Sequence, residues 1–278
     1  MPIETQHAGE IAAGQRFEFG KNWRKFLAEL NDDRIRWAER SLAEMLQVKD
    51  LNGRTFLDVG SGSGLFSLAA WRLGARVYSF DYDPDSVGCT AELRRRFCPD
   101  NERWTVEAGS VLDANYLRTL GTFDVVYSWG VLHHTGAMWQ ALENVSPLVA
   151  PGGMLFIAIY NDQGKPSRQW VRVKRLYNRL PRGLRFGLLL ACVIHLFWRR
   201  ILKDVLRLRP FDTWKAKPEG RGMSEWRDLV DWVGGYPFEV ARPEQIFDFY
   251  RARGFTLARL RTDRTLGCNE FVFTRSGR

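Results

Sequence analysis

An α/β fold built on a seven-stranded, mostly parallel sheet with an antiparallel last strand is what this sequence predicts, on three observations. Short apolar runs bounded by turn residues recur through the first half of the 278 residues. Helical patterns separate them, the alternation expected of βαβ units whose parallel sheet is covered on both faces. Near the C-terminus two further apolar runs follow one another with no room for a helix between them, so they pair as an antiparallel hairpin.

Taken in order, the first fifty residues show helical patterns over 21–30 and 33–47 and no strand, which predicts a helical cap at 1–50. RTFLDVG (54–60), ARVYSFD (75–81), RWTVEAG (103–109), FDVVYSWG (123–130) and GGMLFIAIYN (152–161) read as five buried strands. Helices over 64–73, 85–97 and 137–149 connect them. PEQIFDFYRARG (243–254) is a helix with Glu244 in its first turn and Gly254 as its stop. GFTLARLRT and NEFVFTR supply the last two strands. The sheet domain thus spans 51–161 and 242–278, with a large helical insertion, 162–241, after the fifth strand.

Hydrophobic residues at 45% and charged residues at 26% are ordinary globular composition. MPIETQHAGEIAAG lacks a basic region followed by an apolar run, which predicts a cytoplasmic home. Cys89, Cys98, Cys192 and Cys268 form neither a CxxC pair nor a zinc spacing, so they read as reduced structural thiols and no metal is expected. The net charge is +9, yet 165–209 alone holds thirteen basic residues against one acid, Asp204. That segment therefore carries +12, which points to a local anionic partner.

The first strand runs into FLDVGSGSG, with Gly60, Gly62 and Gly64 around Ser61. Glycines after a strand let the backbone turn tightly against a ligand, and the next helix offers its positive N-terminus. The spacing argues against a nicotinamide dinucleotide, because GxGxxG would need glycine where the chain has Leu65. Asp58 at the strand end suits a cofactor with a cationic amino group.

Here the chain resembles the class I S-adenosylmethionine-dependent methyltransferases. LDVGSGSG is similar to that superfamily's first motif. SFDYDP supplies Asp81, followed by Tyr82, where relatives end the second strand with an acid for the ribose hydroxyls. GSVLD, with Ser110 and Val111, matches the segment that flanks the adenine. FDVVYSWGVLHHT, which contains Trp129, resembles the ubiquinone/menaquinone branch and its small-molecule relatives, and VAPGGMLFIAIYN matches the fifth strand with its preceding turn. The resemblance covers 51–161 by motif and 243–275 by architecture. It implies a Rossmann-like fold and S-adenosyl-L-methionine as cofactor, held by Asp58, Gly60, Ser61, Gly62, Gly64, Asp81, Tyr82, Ser110, Val111 and Trp129. Many relatives carry aspartate at the position of Ser110, so backbone groups or Asp113 would have to meet the adenine amino group. An N-terminal segment often folds over the cofactor in relatives, and RFEFGKNW (16–23) offers Phe19, Asn22 and Trp23 for this or for packing the cap.

His133 and His134 follow the fourth strand, and a histidine has the pKa to take a proton from an acceptor hydroxyl or thiol. They are catalytic candidates, with structural hydrogen bonding in the loop as the alternative. Tyr160, Asn161 and Asp162 at the fifth strand's end are further candidates.

In the insertion, QWVRVKRLYNRLP (169–181) puts Trp170, Val173, Tyr177 and Leu180 on one helix face and Arg168, Arg172, Arg175 and Arg179 on another, with Pro181 and Gly183 as stops. GLRFGLLLACVIHLFWRR (183–200) follows. Its apolar core, Phe186 to Trp198, falls short of the ~20 residues that cross a membrane. An interfacial helix or a buried lid is left. A third helix runs from Ser224 as N-cap to Gly234, with Trp226, Leu229, Val230 and Val233 on one side. These helices are expected to cover the acceptor pocket with an apolar underside and a cationic outer face.

The sequence therefore predicts methyl transfer to a small, apolar or aromatic acceptor, with oxygen favoured over sulfur, nitrogen or carbon. An anionic membrane surface is a partner open to residues 165–209, which would place the protein on the inner membrane face. Competing readings are a membrane-associated quinone or lipid methyltransferase, an RNA methyltransferase and a non-catalytic S-adenosylmethionine sensor. Nucleic acid is disfavoured, because SWGV lacks the Asn-Pro-Pro-aromatic signature of many base-amino methyltransferases. The sequence leaves the acceptor and the oligomeric state open.

Overall fold

The computed structural model describes residues 3–28, 30–98, 103–206, 225–263 and 267–277, apart from the side chains of 25, 182, 199–201, 204–206 and 225–228. Its sheet is formed by β1 (Thr55–Val59), β2 (Arg76–Asp81), β3 (Trp104–Ala108), β4 (Phe123–Trp129), β5 (Val149–Tyr160), β6 (Phe255–Arg261) and β7 (Cys268–Arg275). Their order is β3-β2-β1-β4-β5-β7-β6. β1 to β5 are mutually parallel, and β7 runs antiparallel between β5 and β6. The order reverses between β1 and β4, and ligands of open α/β sheets bind beyond the carboxyl ends of the strands at such a point.

Alternation along the strands assigns the two faces. Phe56, Val77, Val125 and Phe156 pack against Leu42 of α3 (Asp32–Leu46), Leu68 of α4 (Leu65–Arg72) and Leu93 of α5 (Pro84–Phe97). Leu57, Val126, Leu155 and Phe271 face Leu117 of α6 (Ala114–Leu120), Leu142 of α7 (Met138–Val145) and Ile246 of α11 (Pro243–Arg251). Burying both faces explains why the central strands read as mostly apolar runs.

Two helices were not anticipated. α1 (Ile3–Ala12) lies ahead of α2 (Phe19–Ala28), and α6 is a short helix whose N-cap is Asp113. α3 starts at Asn31, whose side chain accepts from the Arg34 amide.

Between β5 and α11 lie α8 (Lys165–Arg179), α9 (Arg182–Leu206) and α10 (Glu225–Gly234). α8 begins earlier than its apolar pattern, with Pro166 in its first turn, and Pro181 follows its end. Gly183 does not act as a stop; it lies inside α9, which begins directly after that proline. The Ser224 cap lies outside the described residues, as does the Trp226 side chain, whereas Leu229 and Val233 are buried. Leu189, Cys192 and Val193 of α9 pack with Trp170, Tyr177, Val233 and Phe238. The expected cationic exterior is found on α8, where Arg172, Arg175 and Arg179 are exposed; on α9 Lys203 is exposed, and the side chains of Arg182, Arg199 and Arg200 lie outside the described residues. The outward side of α9 presents Leu184, Phe186, Leu190, Ile194, Trp198 and Leu202, because its sequence is apolar around most of the helix. Among the described residues no helix is long and apolar enough to cross a membrane.

Candidate active site

A cavity of about 730 Å³ opens beyond the carboxyl ends of β1, β2, β4 and β5. Its floor is the turn after β1. Gly60, Gly62 and Gly64 have φ of 79°, 56° and 79°, in the left-handed region that side chains resist. A Cβ on Gly60 would stand 2.4 Å from the Val131 side chain, and one on Gly62 would stand 3.1 Å from the Trp23 indole. The glycines thus allow a close approach from two directions.

Two carboxylates bracket this turn. Asp81 accepts from the Gly62 amide at 2.8 Å and from the Asp83 amide at 2.9 Å. Burial pushes its pKa up to about 6, against the pull of those amides. Asp58 accepts from the Ser67 hydroxyl at 2.5 Å, and burial pushes it up to about 7, with the Asp81 charge adding. Ser61 and Thr90 hydroxyls pair at 2.8 Å beside the turn.

The N-terminal helices close the cavity. Gly20 donates its amide to Asp83 at 2.8 Å, and the Asn22 side-chain amide donates to Asp231 of α10. Arg16 donates to Glu10 at 2.7 Å and to the His134 carbonyl at 3.1 Å, with its guanidinium 4.8 Å from the Tyr82 ring centre. The Tyr82 hydroxyl donates to Glu10 at 3.1 Å. One strap therefore touches the loop after β2, the loop after β4 and α10.

Of the residues singled out from the sequence, Trp23, Asp58, Gly60, Ser61, Gly62, Asp81, Tyr82, Trp129, His134 and Tyr160 share this wall. Gly64, Ser110, Val111 and His133 are not among its lining residues. Gly64 precedes α4 and sits against Thr90. The Ser110 hydroxyl accepts from the Leu112 amide at 3.2 Å, and Val111 is buried in the core. Asp113 is engaged in capping α6, accepting from the Asn115 and Tyr116 amides at 2.9 and 3.1 Å.

His134 places Nδ1 2.5 Å from the Pro237 carbonyl, so that nitrogen carries the proton and Nε2 is the ring's acceptor. Burial pushes its pKa down to about 3. His133 is fully buried behind it, 4.2 Å from the Tyr160 ring centre, and burial holds it well below its ordinary value. Both rings are therefore neutral at physiological pH.

Sequence reasoning missed Arg16, Asp83, Trp37, Phe66 and Glu270, all on the wall. Trp129 donates to Glu270 at 2.9 Å, over Ala158, which lies between them across β4, β5 and β7. A large residue at 158 would have parted that pair, a three-strand relation no local pattern reveals.

A family model described as a methyltransferase domain matches residues 57–155. The ubiquinone biosynthesis O-methyltransferase of Paraburkholderia xenovorans is 31% identical over 143 residues, 51% of this chain and 56% of that protein. The tRNA U34 carboxymethyltransferase of Klebsiella pneumoniae is 30% identical over 139 residues, 47% of this chain and 40% of that protein. The chain thus spans about half the length of the curated relatives it matches. Magnesium protoporphyrin IX methyltransferase from Synechocystis, crystallised with bound SAH, shares the fold at a TM-score of 0.51 and 16% identity, covering 87% of this chain and 83% of that one. With the strand order, these findings make the sheet Rossmann-like and residues 57–155 a methyltransferase domain.

Proposed function

We propose that the chain transfers a methyl group from S-adenosylmethionine to a small, apolar or aromatic acceptor, with oxygen the favoured atom. The observation that carries this is Asp81, a carboxylate on the cavity wall joined to the glycine turn. Its remaining lone pairs suit ribose hydroxyls, Asp58 suits an ammonium, and Trp23 covers Gly62 from the open side. Ser110 and Val111 lie off the wall, which leaves Tyr82 and Asp83 as the nearer neighbours for the nucleoside. The residues present fit the cofactor.

When bound, S-adenosylmethionine supplies an electrophilic methyl group on a sulfonium. The chain's part is to hold the acceptor in line with it and to exclude water. Trp129, Tyr160 and Trp232 give the wall an apolar, aromatic side facing that position. His134, neutral, offers Nε2 to orient an acceptor hydroxyl; at a pKa of about 3 it is a weak proton store. The acceptor oxygen would gain the methyl as the carbon–sulfur bond of the sulfonium breaks, and its proton would pass to bulk solvent, His134 being too weak a base to keep it. Tyr160 flanks the same position, and His133 supports both rings from behind.

The name of the Paraburkholderia relative supports a quinol-like O-acceptor, and the aromatic wall supports a small molecule over RNA. We read 1–50 as a cap and 162–241 as an insertion on a domain made of 51–161 and 242–278. The chain would work in the cytoplasm, with 165–209 toward an anionic inner membrane surface. A screen of quinol, catechol and thiol acceptors with methyl-labelled cofactor tests the activity, with bulk tRNA as the RNA arm. Label in a small acceptor supports the reading; label in tRNA alone, or cofactor binding without transfer to anything, sinks it.

A further inference from the structure

We propose that α9 lies in the plane of an anionic bilayer with its outward apolar face sunk into the headgroup region. This deepens the membrane-facing reading given above and does not depend on the catalytic one. Leu184, Phe186, Leu190, Ile194, Trp198 and Leu202 are each between 49% and 61% exposed. Phe186, Leu190, Ile194 and Trp198 step by four, a single row along the helix, and from Leu184 to Leu202 the face runs about 27 Å at 1.5 Å per residue. Apolar exposure of this length and continuity marks an interaction surface more than chance scatter.

The face is not the underside of a lid. The opposite side of α9, with Leu189, Cys192 and Val193, packs on Trp170, Tyr177 and Val233. Phe19, Tyr160 and Trp232, which pack against the same cluster, line the cavity. That layer stands between the cavity and the outward row. Nor does α9 span: one side is committed to the cluster, so crossing a bilayer would strip the cluster of its cover. A helix with one face packed on protein and the other apolar and outward suits burial by about 5–10 Å at the interface.

Charge selects the occupant. No acid occurs between Arg182 and Lys203, and 165–209 carries +12 in sequence. Arg172, Arg175 and Arg179 of α8 and Lys203 of α9 are exposed. A second copy would bring the same positive charge to this face and be repelled, whereas anionic headgroups complement it. Trp198 near the basic end of the row suits the boundary between acyl chain and headgroup.

Flotation on vesicles decides. The full chain is mixed with vesicles of phosphatidylcholine alone or with phosphatidylglycerol. We expect capture on the anionic vesicles, at least about tenfold above the neutral ones, and a high-salt wash that lowers it toward the neutral-vesicle level without abolishing it, since salt screens only the charge part. Ile194→Glu with Trp198→Glu should lower capture by about tenfold or more, with S-adenosylhomocysteine affinity and circular dichroism unchanged; Leu190→Ser with Ile194→Ser is the milder second pair. Complete release by salt would overturn the insertion, leaving contact by cations alone. Absence of capture, or capture unaffected by both variant pairs, would overturn it also. So would light scattering that shows a dimer which Ile194→Glu dissociates, for the face would then belong to a second copy. S-adenosylhomocysteine binding, measured on the same preparations, reports on the catalytic reading separately.

Discussion

The Gly62 amide donates to Asp81 at 2.8 Å, so the turn after β1 and the acid that ends β2 form one structure. A second amide, that of Asp83, reaches the other carboxylate oxygen at 2.9 Å. Asp81→Ala should therefore weaken S-adenosylhomocysteine binding by about 10- to 100-fold, the scale of losing one or two hydrogen bonds to a charged group. Calorimetry checks this, and unchanged affinity would separate Asp81 from the ligand.

Gly60 has φ of 79°, and a Cβ there would stand 2.4 Å from Val131. Gly60→Ala should cost about 1–3 kcal/mol of stability and narrow the cavity floor. Gly121→Ala is the control: its φ is 75°, but nothing lies within 4 Å of the added Cβ, so it bears strain without collision. Equal losses in thermal melts of the two variants would show that the contact with Val131 is irrelevant.

Burial raises Asp58 to about 7 and Asp81 to about 6. Between the ordinary carboxylate range and about pH 7, the folded state then holds protons that the unfolded chain has released. Their contribution to stability is present below that range and is lost as pH rises through it. Asp58→Asn should gain stability relative to the parent from pH 4 to pH 8. A ligand bringing an ammonium and hydroxyl donors favours both ionised forms, so S-adenosylhomocysteine should bind about tenfold or more tightly at pH 8 than at pH 5. An affinity independent of pH would contradict these roles.

Lys174 is fully buried on the inner side of α8, donating to the Trp232 carbonyl, 4.0 Å from the Trp232 ring centre and 4.5 Å from that of Phe238. Burial pushes its pKa down to about 7, opposed by Asp231. From pH 7 toward the ordinary lysine value the unfolded chain binds a proton that the folded chain lacks, so stability due to this group rises with pH there. Lys174→Met should flatten that rise in denaturant titrations between pH 7 and pH 9.5. A parallel pH dependence in parent and variant would show that Lys174 does not titrate in the fold.

The parallel sheet was legible because its central strands are buried on both faces, so β1, β4 and β5 read as mostly apolar runs between turn residues, broken only by single polar residues such as Asp58 in β1 and Ser128 in β4. The turn after β1 was legible for a related reason: glycine at 60, 62 and 64 is a backbone requirement written directly in the residues. α6 was less so, because seven residues hold too little periodicity, and the aspartate that caps it looked available for adenine. Lys174 was counted with the cations of its segment, although it falls four residues after Trp170 and three before Tyr177, both buried. That spacing held the signal. The Trp129–Glu270 pair and the bridge from Arg16 to His134 held none, since each joins residues more than a hundred positions apart.

Asp81 and the glycine turn are proposed to hold S-adenosylmethionine. Calorimetry with S-adenosylhomocysteine and, separately, NADH tests it most directly, on the parent chain and Asp81→Ala. S-adenosylhomocysteine is expected to bind the parent with one-to-one stoichiometry, Asp81→Ala to lose most of that affinity, and NADH to bind neither. Binding of NADH in place of S-adenosylhomocysteine, or a parent chain that binds neither ligand, would contradict it.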